Sequence, residues 1–397
     1  VDVALIFGGN SVSFFVLPSS GDYGVSYIFG SAGSTNSISK VFGEGTIAFN
    51  LEDLGNWVGS LQDVSDDDGY WVISDAISSL EVQGYPTYVA GVEYTLHEGN
   101  NFVSYPYFNG QSLDAGLAGT PALDNLAYIY GEGTSALLLP TGTWVGSLNN
   151  TGLAGGKGYW FGANAPFSFS YNEPNLLGRF VNRELPQVPA ELAYKQSTEQ
   201  YFYFIQEAQI DNMDLSHGDW IVAYNNDVVV GSRMYKAGGM IDLPIMGYDD
   251  SSEQLALASA GYCKTGDIPT IKIHGSDGSV TTMMVEVKSG SRSFFSSTGG
   301  GHAMVTLSDG LSFPTSVALH SAYPNPFNPN VSLDLHVPYD RRMDIRVFDI
   351  LGNEIDIISD NVIYEFGSHK IYWSSNEYSS GIYYIRFSDK INFKEKK

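Results

Sequence analysis

Along most of the chain, apolar residues alternate with polar ones at a period of two, in short runs broken by Gly, Asn, Asp and Pro. Val331-Leu333-Leu335-Val337, Met343-Ile345-Val347 and Gly381-Ile382-Tyr383-Tyr384-Ile385-Arg386-Phe387 are examples. A strand points successive side chains to opposite faces, so this pattern predicts half-buried strands rather than helices. β-Branched and aromatic residues dominate the runs, as pleated surfaces favour. Helical spacing is confined to Asp124 to Tyr130 and Ser251 to Ala258, each enough for a turn or two. The expected fold class is all-β, made of tandem β-sandwich-like modules.

The first half repeats itself. Phe42-Gly43-Glu44-Gly45-Thr46 returns as Tyr130-Gly131-Glu132-Gly133-Thr134, 88 residues later. Trp57-Val58-Gly59-Ser60-Leu61 returns as Trp144-Val145-Gly146-Ser147-Leu148 at an offset of 87, and Gly69-Tyr70-Trp71 as Gly158-Tyr159-Trp160 at 89. Upstream, Phe14 and Pro18 align with Phe102 and Pro106 at 88. Four anchors in one order at nearly one spacing indicate two copies of one β module. The anchors Trp57, Trp71, Trp144 and Trp160 are expected in the module cores, and their sharper reading is a platform that stacks on glycans. The Gly-Glu-Gly-Thr turn lacks the Lys-Ser/Thr of a phosphate loop and does not lead from strand to helix, so nucleotide binding is rejected.

A third β region follows a Pro-containing linker at Glu173 to Leu192, and a second boundary falls near Ser308 to Pro314. The expected modules are 1–90, 91–186, 187–311 and 312–397. Net charge over the 397 residues is −24, falling as −14 on residues 1–186, −8 on 187–311 and −2 on 312–397, which end in Lys394, Lys396 and Lys397. Such acidity excludes nucleic acid as a partner, since phosphate binding needs clustered Lys and Arg, and argues against docking on anionic lipid. The 22 Phe, 6 Trp and 26 Tyr give ample apolar surface for packed cores and exclude a disordered acidic tail. No apolar run approaches the roughly 18–20 residues that cross a bilayer as a helix. The single cysteine, Cys263, leaves no intrachain disulfide and no Cys-based zinc site and reads as a small buried residue. No leader-like segment opens the sequence, so the chain is expected either to be intracellular or to have had its signal peptide removed; composition favours export.

Ala322-Tyr323-Pro324-Asn325-Pro326-Phe327-Asn328-Pro329 is a distinctive string. It precedes Val347-Phe348-Asp349-Ile350-Leu351-Gly352-Asn353-Glu354, Gly367-Ser368-His369-Lys370-Ile371-Tyr372-Trp373 and Ser380-Gly381-Ile382-Tyr383-Tyr384. From about residue 318 onward the chain resembles the type A C-terminal sorting domain of type IX secretion substrates. The resemblance implies an immunoglobulin-like sandwich, a signal peptide, recognition by the secretion machinery and export across the outer membrane of a Bacteroidetes-like or related marine Gram-negative bacterium. It also implies that the domain is cleaved or used for attachment to the cell surface. The family pattern closes on one more strand, and the sequence reaches Lys397 where that strand would start, which predicts an acceptor groove. Residues 187–311 and 1–186 are similar to modules of the same large secreted proteins, a similarity that brings no functional residues. Read physically, Pro324, Pro326 and Pro329 fix φ and remove donors, so 324–329 is an extended lead-in. Asn325 and Asn328 can bond local backbone, and Phe327 is expected to plug the sandwich end.

Candidate chemistry is sparse. The seven histidines (His97, His217, His274, His302, His320, His336 and His369) make no metal-binding spacing. No nucleophile elbow occurs, and His217 beside Asp219 reads as a turn. Carboxylate pairs for glycoside hydrolysis meet only in space and leave no sequence trace. Asp63-Val64-Ser65-Asp66-Asp67-Asp68-Gly69 starts like a calcium loop, with Asp63, Asp66 and Asp68 as candidate ligands, but Ser74 stands where the closing Glu belongs. No other cofactor is expected. The expected function is therefore that of a non-enzymatic, secreted structural or adhesive surface protein that self-associates through β edges into a filament, sheath or layer. Val3 to Leu17, two runs about a Gly8-Gly9-Asn10 turn, is the candidate donor strand. A polysaccharide-binding module and the accessory C-terminal region of a secreted hydrolase are the alternatives.

Overall fold

A computed structural model describes residues 2–30, 37–51, 56–87, 91–175, 185–211, 213–294, 300–309, 317–319, 322–337, 340–365 and 367–389. Parts of both expected linkers, His320, Lys394, Lys396, Lys397 and the site of the expected acceptor groove beyond residue 389 lie outside them. The fold is all-β, with five short α-helices among the described residues: α1 Val25–Ile28, α2 Leu113–Leu117, α3 Ala122–Asn125, α4 Ser147–Thr151 and α5 Glu253–Ala258. Two compact units form, residues 1–208 with 214–307 and residues 209–213 with 308–397.

The first unit contains both repeats. Repeat one supplies β1 Asp2–Leu5, β2 Gly8–Ser13, β3 Val16–Leu17, β4 Ile38–Gly43, β5 Thr46–Leu51, β6 Asn56–Gly59, β7 Gly69–Ser74, β8 Ser78–Glu81 and β9 Tyr85–Pro86. Repeat two supplies β10 Tyr94–Leu96, β11 Gly99–Ser104, β12 Leu126–Tyr130, β13 Ser135–Leu138, β14 Trp144–Val145, β15 Gly158–Ala163 and β16 Phe167–Phe169. Their sheets share one order, β2-β7-β4-β5-β6 and β11-β15-β12-β13-β14, and each adds a two-stranded pair, β1-β8 or β10-β16. Each has its own core: Val12, Phe14, Val41, Tyr70 and Val72 in the first, and Val103, Tyr105, Ile129, Tyr159 and Phe161 in the second.

The structural register corrects the sequence alignment upstream of the motifs. Asn10 accepts from the Ile6 N–H (2.8 Å) and donates to the Ile6 and Gly8 carbonyls; Asn101 does the same with His97 and Gly99, at an offset of 91. Phe14 therefore corresponds to Tyr105, each buried in its own core, and Phe102 corresponds to Ser11. Gly8-Gly9-Asn10 is not a hairpin turn but the start of β2, because the Asn10 side chain holds the bend one step earlier, at Ile6-Phe7. Residues 124–130 also depart from helical spacing: the chain leaves α3 at Asn125 and runs straight into β12, which β15 and β13 pair on both sides.

The repeats clasp each other reciprocally. Glu44 accepts the Phe102 N–H at 3.0 Å, and Glu132 accepts the equivalent Ser11 N–H at 3.2 Å. Ser13 N–H donates to the Gly156 carbonyl and Ser104 N–H to the Asp67 carbonyl, both at 3.0 Å. The same patch of each copy thus meets the other, as at an isologous dimer interface. The glycines of the two Gly-Tyr-Trp motifs meet at this seam: a Cβ on Gly158 would lie 2.9 Å from the Gly69 Cα. Trp71 and Trp160 turn away from their own cores into a shared cluster with Phe102, Tyr130, Phe202 and Phe204. Phe102 stacks on Trp160 at 4.4 Å, a pairing worth about 0.5–1.5 kcal/mol beyond its buried area.

A third set of strands completes the unit, except for their residues 209–210, 213 and 308, which belong to the second: β17 Gln200–Ile210, β18 Met213–Asp214, β19 Trp220–Asn225, β20 Val228–Met234, β21 Ile241–Met246, β22 Thr270–His274, β23 Val280–Ser289 and β24 Gly301–Ser308. They run in the order β18-β17-β24-β23-β22-β19-β20, with β21 also paired to β17. Asp242 on β21 binds this sheet to repeat two. Its carboxylate accepts Ser147 N–H (2.7 Å), Ser147 Oγ–H (2.6 Å), Ser135 N–H (3.1 Å) and Ser135 Oγ–H (2.8 Å) and faces the Arg233 guanidinium at 3.4 Å. Arg233 donates in turn to the Asp242 and Gly133 carbonyls.

The second unit is a sandwich of two three-stranded sheets. Its strands are β25 Ala318–Leu319, β26 Asn330–Val337, β27 Arg341–Phe348, β28 Glu354–Tyr364, β29 Gly367–Ser374 and β30 Tyr384–Asp389, ordered β25-β26-β29 and β28-β27-β30. The alternation read from the sequence faces inward: Val331, Leu333, Leu335, Val337, Met343, Ile345 and Val347 are all buried.

Asp242→Ala strands a buried guanidinium and four donors, so it is expected to destabilise the first unit by about 3–5 kcal/mol. Urea unfolding followed by tryptophan fluorescence measures this; Ser60→Ala, at the exposed equivalent of Ser147, is the control and should cost far less.

Candidate functional site

The proline string lies on the surface of the second unit. Tyr323 and Ser332 exchange backbone hydrogen bonds at 2.8 and 2.9 Å, and Ser375 N–H donates to the Pro329 carbonyl at 2.9 Å, so both ends of the string are tied to strands. Between them Pro324, Asn325, Pro326 and Asn328 are exposed, and Tyr323 is 77% exposed. Phe327 turns inward, as expected of a plug: its ring lies 5.7 Å from Trp373, which also packs on Tyr378 and Tyr383. The Trp373 indole N–H donates to Asp356 at 2.8 Å and fixes the ring on which Phe327 rests. The result is a ridge whose outward groups are prolines, asparagine amides and one phenol.

A cleft of about 590 Å³ opens where repeat two meets the third set of strands. Its floor is the Asp242–Arg233 network, and its walls carry Trp144, Asn149, Asn150, Pro186, His217, Lys236 and Met240. Sequence reasoning missed this site because Asp242 sits in an ordinary alternating strand. The usable signal was the serine of Trp-Val-Gly-Ser-Leu, kept in both repeats: Ser60 Oγ accepts the Ile47 N–H, as Ser147 Oγ accepts the equivalent Ser135 N–H.

Trp71, Trp144 and Trp160 are at most 3% exposed, and Trp57 is half-buried with its indole N–H on the Gly30 carbonyl, which removes them as glycan-stacking platforms. Asp219 accepts the Ser216 and Ser276 N–H groups, so Asp219 staples a turn and forms no dyad with His217. Burial pushes the Cys263 thiol up to about 12. Asp63, Asp66 and Asp68 do not converge: among the described residues no group of three His, Cys, Asp or Glu side chains is placed to hold a metal. The loop instead serves the repeat seam, where Ser104 bonds the Asp66 and Asp67 carbonyls. Burial, followed by the charge of Asp67, raises Asp68 to about 6.

Because Asp68 titrates higher folded than unfolded, where a carboxyl sits at about 3.9, it favours folding at low pH and loses that contribution as pH rises through about 6. Asp68→Asn is therefore expected to melt above the parent at pH 8 and level with it at pH 4. Thermal unfolding at the two values checks this.

No curated protein matches the chain. Among protein families, the secretion system C-terminal sorting domain matches residues 321–397, the part that carries the proline ridge and the second sandwich. No described helix is long and apolar enough to cross a membrane. Residues 321–397 are a type IX secretion sorting domain, and the chain that carries them is exported across the outer membrane to the cell surface or the extracellular space.

Proposed function

We propose that the exported chain is a non-enzymatic structural or adhesive protein that associates with its own copies. The observation that carries this reading is how the first unit spends its reactive groups. Asp242, Arg233, Glu44, Glu132, Asp219 and Asp249 all hold backbone or neighbouring side chains, and Cys263 is buried as a thiol. His302 bonds the Tyr130 hydroxyl and His274 bonds that of Tyr224. Groups committed in this way build a durable body.

The donor-strand route to association is set aside. β1 pairs with β8 and β2 with β7, so Val3 to Leu17 is already used within its own repeat. A different edge supports association. In repeat two, Leu137, Leu139 and Val145 lie under Phe204 and Met240 in the shared cluster. Their equivalents in repeat one, Phe49, Leu51 and Val58, are 40%, 37% and 42% exposed, with Phe49 and Val58 directly paired across β5 and β6. An apolar face with β6 at its edge is a surface through which two copies can pair.

Light scattering across a concentration series is expected to show mass rising above the 43.2 kDa monomer. Val58→Lys is expected to shift that rise to higher concentration. A parent that stays monomeric throughout, or a variant that associates as well as the parent, overturns the self-associating reading. Turnover of any substrate by the purified chain overturns the non-enzymatic one.

A further inference from the structure

We propose that the cleft between repeat two and the third set of strands binds an anionic saccharide, which names the target class of the adhesive reading and rests on it. The first consideration is charge. The chain has 20 Lys and Arg against 44 Asp and Glu, yet among the described residues the charged side chains lining this cleft are Arg233, Lys236 and Asp242. Asp242 is consumed by two serines and Arg233. The uncommitted groups are then the exposed Lys236 ammonium and the His217 imidazole, both donors suited to a carboxylate or a sulfate.

The second consideration is the remaining lining. Asn149 donates to the Trp144 carbonyl and Asn150 to that of Gly146, so their amide nitrogens are held inward and their oxygens are left to accept hydroxyls. Pro186, Met234 and Met240 give an apolar wall of the kind that packs against the C–H face of a pyranose. At about 590 Å³ the cleft falls within the range of small-molecule sites, roughly 300–1,000 Å³.

Isothermal titration of the full chain with three oligosaccharide probes tests this: an oligogalacturonate, a sulfated galactan fragment and a neutral galactan fragment. Binding of one or both anionic probes without the neutral one is expected, weakening as salt is raised. Lys236 is exposed, with no ion pair among the described residues, so Lys236→Gln should leave the melting temperature unchanged while lowering anionic affinity by about tenfold, as loss of one charge-assisted hydrogen bond implies. Absence of binding to every probe, equal binding of the neutral probe, or full affinity in Lys236→Gln overturns the proposal. So does preference for an acidic peptide with a free C-terminus. Light scattering on the same samples reports association separately, so self-associating protein without saccharide binding sinks this proposal alone.

Discussion

One buried carboxylate sets the geometry of the larger unit. Asp242 brings a negative charge into the seam between repeat two and the third set of strands, where an unpaired charge would cost several kcal/mol. It is tolerated because donors surround it: two serine hydroxyls, two backbone N–H groups and a guanidinium. Those donors are directional, so the strand carrying Asp242 can dock in one register only. The aromatic cluster of Phe202, Phe204, Tyr130 and Trp160 supplies the larger apolar contribution and tolerates small slips. The carboxylate removes that freedom, and the cleft above it inherits its shape.

The internal duplication then becomes a comparison the molecule makes with itself. Strand order, asparagine bends and tyrosine-held loops coincide: the Tyr70 hydroxyl accepts the Ser65 N–H as the Tyr159 hydroxyl accepts that of Ala154. Divergence is concentrated where the surroundings differ. Phe102, which packs against both Trp160 and Trp71, stands where the first copy has Ser11, whose hydroxyl donates to the Gly158 carbonyl. Leu137 is covered and Phe49 left 40% exposed because the third set of strands lies over one copy's outer face. What repeats is the scaffold, and what varies records the neighbour.

Much of this was legible in the sequence. Period-two alternation located the strands of the sorting domain, and the inward set Val331 to Val347 follows it residue by residue. The duplication was visible because turns and seam glycines tolerate little change. The limits are as physical. Phe14 and Phe102 aligned by identity, but an aromatic ring serves an inner core as well as an outer layer, so residue type alone could not set register. Trp71 and Trp160 read as module core because the pattern reports that a side chain is buried and not against which layer. Asp242 looked like any polar residue between two apolar ones. Its serine partners lie about 100 residues upstream, and no local pattern encodes that distance.

The reciprocal glutamates impose an order of events on the growing chain. Glu44 completes its bonding only when Phe102 has been made, and Ser11 waits for Glu132. The shared cluster then waits for Phe202 and Phe204. Contacts so remote in sequence delay the closing of the first repeat until the third set of strands has emerged. The first repeat is thus made before its partners yet is among the last parts to be sealed, a long interval in which its aromatic outer face is in the keeping of whatever chaperones accompany export.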